Sequence, residues 1–131
     1  MSNFIERSFE LAAERCEDLT PLVYARLHRE HPETVAMFRT VGADLVKGSM
    51  LALTTEAILD FAGERSGKFR MIACEVSSHD AYGTPRELFL AFFGVIAATL
   101  REQLGAEWTA DMEKAWADML AEIKEVVAAQ S

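Results

Sequence analysis

Apolar positions along this chain recur at steps of three and four. In 4–16, "FIERSFELAAERC", the residues Ile5, Phe9, Ala12 and Cys16 fall on one face, as an amphipathic helix requires. Thr20-Pro21 then reads as an N-cap followed by proline at the first helical position. The helix it opens carries Leu22, Val23, Ala25, Leu27 and His28, and Pro32 closes it by removing a backbone donor and pushing His31 out of the α region. A short helical turn follows to about Phe38, and Gly42 marks a corner. The next helix spans about 44–62, with the stripe Val46, Ser49/Met50, Leu53, Ala57/Ile58 and Phe61, and Gly63 as its stop. Residues 66–79 read as helical, with Phe69, Ile72, Val76 and His79 on one side.

Thr84-Pro85-Arg86-Glu87 has the spacing of a capping box with proline in its first turn. It opens an apolar helix that runs to about Gln103 and stops at Gly105. Thr109 caps a last helix whose stripe is Met112, Trp116, Met119/Leu120, Ile123 and Val126/Val127. The apolar run 88–100 is shorter than a bilayer span, which favours a helix buried in a protein core. No stretch sustains a period of two. The pattern predicts one all-α domain over 1–131, six or seven helices, with the last two antiparallel across 104–108.

Composition narrows the class. A chain of 131 residues is long enough to bury a real core. Its formal charge of −8, from 21 acidic and 13 basic side chains, is the wrong sign for a general nucleic-acid or anionic-membrane binder. Two cysteines, Cys16 and Cys74, and a charged N-terminal stretch imply reduced thiols and a soluble cytoplasmic protein.

The familiar catalytic patterns are missing: no glycine-rich phosphate loop, no CxxC, no H-E-x-x-H, no nucleophile elbow. His28 and His31 are three apart, but Pro32 ends their helix and no third ligand sits at a useful spacing. Lys114 and Asp118, four apart, need only a surface ion pair. His79 has two readings. One is a packed core histidine. The other is a single axial ligand for a metal that brings its own equatorial ligands, as haem iron does. That second reading needs an acceptor for the other ring nitrogen, from Ser78 or a backbone carbonyl one turn earlier, and a large apolar cavity.

The ordered set Tyr24, Pro32, Phe38, His79, Gly83, Pro85 and Trp116 resembles that of bacterial single-domain globins and of the haem domains of flavohaemoglobins. In "LVYARLHREHPETVAMF" a helical tyrosine precedes a helix-breaking proline by eight residues, and a phenylalanine follows it by six. "HDAYGTP" and the Ala115-Trp116 pair match the family's second half. The resemblance implies a globin fold around a haem b group, iron protoporphyrin IX, with His79 Nε2 on the iron, Phe38 stacked on the porphyrin and Tyr82 on the proximal side. Tyr24 would offer its hydroxyl to the gas, a charge-assisted bond of about 1.5–3 kcal/mol, or else simply pack between helices.

The distal helix has two registers. The family pattern favours Lys47-Gly48 with Leu51; the apolar stripe favours Val46 and Met50. In the second, Lys47 sits on the rim, where it, Lys68 or Arg70 meets a propionate; Met50 or Lys47 is also chemically able to ligate the resting iron. Relatives often brace the proximal histidine with a tyrosine and a glutamate. Here Leu88 or Phe89 stands near the tyrosine's place and the chain ends near the glutamate's, while Glu75 stands where an apolar residue is usual. The resemblance implies binding of dioxygen or another diatomic gas, CO or NO, by a monomer or homodimer. Nitric oxide dioxygenase or weak peroxidase activity would require a separate reductase, and a haem-free sensor module is the third alternative.

Overall fold

Each stripe becomes a helix whose ends follow local chemistry. The computed structural model describes residues 3–37, 43–65, 67, 70–81 and 83–130. Among them are seven α-helices and no strand: α1 (Phe4–Arg15), α2 (Thr20–Glu30), α3 (Thr34–Met37), α4 (Ala43–Ala62), α5 (Met71–Ala81), α6 (Arg86–Leu104) and α7 (Ala110–Ala128). Asn3 caps α1, its side chain accepting from the Glu6 amide. Thr109 caps α7 as expected, its Oγ1 accepting from Met112 N at 3.1 Å. The two proline-marked starts differ from expectation. Leu19 is the N-cap of α2 and Thr20 already lies inside it. Asp18 Oδ1 takes the Thr20 amide at 3.0 Å, and hydrogen bonding to Thr20 holds that carboxyl below its usual range. At α6, Pro85 is the N-cap and Thr84 makes no capping bond, so the expected box does not close. With Pro85 in extended backbone at the helix entrance, Thr84 falls one residue short of the cap position.

Helix α6 is the centre of the packing. It touches α1, α2, α5 and α7, and buries Phe92, Phe93, Val95, Ile96, Leu100 and Leu104. Taken over 86–107 it is long and apolar enough to cross a membrane by length and composition alone, beyond what the shorter 88–100 run suggests; here other helices pack against it. A 3-10 turn over Gly105–Glu107, with Gly105 in the left-handed region at φ 52°, leads the chain into α7. The α7 stripe Met112, Trp116, Met119, Ile123 and Val127 is buried as predicted. On its outer side Lys114 and Asp118 form the expected surface pair at 2.7 Å.

One core contact joins the first and last long helices. Trp116 Nε1 donates to Ser8 Oγ at 3.0 Å, and Ser8 Oγ donates to the Ile5 carbonyl at 2.6 Å. Phe9 lies beside them, its ring 5.7 Å from that of Trp116. Ser8 is therefore fully buried although it sits off the predicted apolar stripe. Helix α4 is apolar on two sides. Leu51, Ala57, Ile58 and Phe61 enter the core, whereas Val46 and Leu53 stay 48% and 51% exposed. The single stripe expected there is thus divided between two surroundings.

Candidate functional site

The open side of α4 faces a cavity of about 580 Å³, within the 300–1,000 Å³ range of sites that enclose small molecules and cofactors. Val46, Met50, Leu53 and Thr54 of α4 form one wall. Met71, Ile72, Glu75 and His79 of α5, with Leu88, Phe89, Phe92 and Phe93 of α6, form the rest of the lining with Leu27, Thr34, Gly83 and Thr84.

His79 sits in the last turn of α5. Its Nδ1 donates to the carbonyl of Glu75, one turn earlier, at 2.8 Å. Ser78, the other possible acceptor, turns its hydroxyl to the Cys74 carbonyl at 3.5 Å instead. With the proton on Nδ1, Nε2 on the far edge of the ring carries the lone pair. Phe89 meets the imidazole edge-on with centroids 5.0 Å apart, and Phe93 backs Phe89 at 5.5 Å. A Glu75 carboxylate oxygen lies 3.6 Å from the same Nδ1.

The end of α5 is fixed by the chain that follows it. Thr84 N donates to the His79 carbonyl at 2.9 Å and Gly83 N to the Asp80 carbonyl at 3.0 Å. Gly83 has φ 81°, which a residue with a Cβ adopts only under strain. Arg86 then ties the corner to two helices, donating to Asp80 Oδ2 at 2.9 Å and to the Val127 carbonyl at 3.1 Å. The Gly-x-Pro spacing of the sequence makes this turn, and the turn holds the imidazole in the cavity wall.

On the facing wall, the cavity is lined in the Val46/Met50 register. Leu51 is buried in the core instead, and Lys47 places its Nζ 5.4 Å from the centre of the Tyr24 ring. Neither Lys47 nor Leu51 lines the cavity, because α4 turns its Leu51 side into the core. Tyr24 does not line it either. Its ring packs 5.6 Å from Phe92 and 6.2 Å from His28, and its hydroxyl donates to the Lys47 carbonyl at 3.1 Å. Burial pushes that phenol above its ordinary range and keeps it protonated.

His28 Nδ1 donates to Thr34 Oγ1 at 2.7 Å, and Thr34 donates onward to the His31 carbonyl at 2.7 Å. Burial, then the Lys47 charge, lowers the pKa of His28. Arg70 is exposed beside the start of α5. Phe38, Lys68, Phe69 and Tyr82 lie outside the described residues. The sequence reading does not name Leu27, Thr34, Leu53, Thr54, Met71, Ile72, Thr84, Phe92 or Phe93 as site residues, and all of them line the cavity. Thr54 continues the Val46–Met50 line by one turn, and Phe92 follows Phe89 by three, so helical spacing holds both signals.

A haem asks for one nitrogen donor held in a fixed orientation, an apolar slot, and apolar side chains left uncovered until it enters. His79, the Phe89–Phe93 pair and the half-exposed Val46 and Leu53 meet these requirements. Among the described residues, Glu75 is the one carboxylate in the wall. A family model for globins matches residues 22–127. Comparison with curated proteins and with solved structures returns no match. Match and all-α architecture agree, and the chain belongs to the globin family, whose members hold haem and bind diatomic gases.

Proposed function

We propose that this is a cytoplasmic globin that holds haem b through His79 Nε2 and binds dioxygen or another diatomic gas reversibly. The observation that carries the reading is the 2.8 Å bond from His79 Nδ1 to the Glu75 carbonyl in the wall of a 580 Å³ apolar cavity. That bond sets the tautomer, so Nε2 is free to donate its electron pair, and the Phe89 edge limits rotation of the ring. The haem, when bound, would supply the iron that takes up the gas. Val46, Met50 and Leu53, on the α4 wall of the cavity, would help to exclude water from the group. Thr54 of the same helix, together with Thr34, adds hydroxyl groups to the lining. Tyr24 acts one layer behind, through the Lys47 carbonyl, and fixes where α4 crosses α2.

The resemblance to bacterial single-domain globins supports the same assignment through Tyr24, Pro32, His79, Gly83, Pro85 and Trp116. The test is optical. Reconstituted protein should give a Soret band with distinct ferric, ferrous and CO forms. His79→Ala should lose most of the haem, and His79→Gly should regain the ferrous spectrum when imidazole is added. A protein that takes up no haem, or a His79→Ala variant with an unchanged ferrous spectrum, would remove the proposal.

A further inference from the structure

We infer that Glu75 is a positioning residue that sets the electron-donor strength of His79 from the ligand's own helix. The inference rests on the reading of His79 as the iron ligand. His79 Nδ1 has one proton and two acceptors from the same residue. The Glu75 carbonyl at 2.8 Å takes the hydrogen bond, and the carboxylate at 3.6 Å is too far to share it. At that distance the carboxylate still acts as a charge. It lines the cavity, and among the described residues no lysine or arginine pairs with it. The carboxylate is 41% exposed as it stands, with water on its open side. A flat apolar group in the cavity removes part of that water, lowers the local dielectric and strengthens the field at Nδ1.

A negative charge behind the Nδ1–H makes Nε2 a stronger donor, as carboxylates behind metal-bound histidines do. It also favours the more positively charged state of the iron, so the ferric form gains relative to the ferrous. Leu88 and Phe89, the residues near the place of the bracing tyrosine in relatives, both line this wall and offer no hydroxyl. Glu75 provides the charge one turn before the ligand, with no other helix involved.

The experiment compares wild type, Glu75→Gln and Glu75→Asp as full-length reconstituted proteins. Midpoint potentials come from spectroelectrochemistry, and the iron–imidazole stretch from resonance Raman of the ferrous forms. Glu75→Gln keeps the shape and loses the charge. It should shift the potential positive and lower the stretching frequency in the haem-loaded protein. Glu75→Asp, which retains the charge on a shorter arm, should fall between the two. Unmoved potential and frequency in Glu75→Gln overturn the inference while leaving His79 as ligand. Loss of haem from Glu75→Gln assigns the residue to packing and overturns it too. An absent iron–imidazole stretch in wild type defeats the ligand assignment itself, and this inference with it.

Discussion

Tyr24 and Ser8 each carry a hydroxyl into the core, and each has a partner there. The sequence points to Tyr24 through its spacing from Pro32, and offers two uses for its hydroxyl. The bond to the Lys47 carbonyl makes it a joint between α2 and α4. Tyr24→Phe should lower stability by about 0.5–1.5 kcal/mol, read as a smaller urea midpoint. Gas dissociation from the reconstituted variant should stay within about threefold of wild type, a difference well under 1.4 kcal/mol. A rise of about tenfold or more, the size of a lost charge-assisted bond, would show that the hydroxyl reaches the ligand. Ser8 is only partly legible: its spacing, three after Ile5 and four before Ala12, marks the buried side of α1, but nothing local marks its partner. It stands beside the apolar stripe, and its burial depends on an indole that lies 108 residues away in sequence. No local pattern announces so distant a donor.

At the scale of helices, the spacing of apolar residues locates every long element, and proline and glycine locate the corners. Which side chain caps each start is less readable. By sequence Thr84 is the better candidate for a box, with Glu87 three residues on, whereas Thr109 is followed by Met112 at that place and by Asp111 and Glu113 on either side of it. Yet only Thr109 accepts a backbone amide, because Pro85 occupies the cap position of α6 and leaves Thr84 beside the cavity. Thr109→Ala should therefore lose about 0.5–2 kcal/mol in chemical denaturation, whereas Thr84→Ala should change the unliganded protein by no more than about 0.5 kcal/mol. Equal losses would mean that Thr84 caps after all. Helix α4 shows the other limit of pattern reading. Its apolar residues read as one stripe, yet a helix lying between a core and a cavity needs two.

Across the whole molecule, the cavity belongs to no single segment. It needs the rotation of α4, the end of α5 and the middle of α6 together. The all-α architecture is readable because each helix declares its own buried face. The residues around His79 leave it between a packed histidine and a ligand, and only the ordered set from Tyr24 to Trp116, through its resemblance to globins, singles it out. The opposite wall is not, since a rotation of α4 by one residue exchanges Val46 and Met50 for Lys47 and Leu51. Val46→Asp tests that wall. Val46 is 48% exposed, so the unliganded protein should change by about 0.5 kcal/mol or less. Haem should leave the variant several-fold faster, because a carboxylate would lose water against an apolar ligand face. Transfer to an excess of a haem-scavenging protein measures that rate, and an unchanged rate would place Val46 away from the group.

The bond between Ser8 and Trp116 also orders events during synthesis. A ribosome releases α1 first, long before the indole that completes its buried face exists. Until α7 emerges, Ser8 and Phe9 lack the indole that meets them in the folded protein, and incompletely covered apolar surface of this kind is what makes a growing chain prone to aggregate.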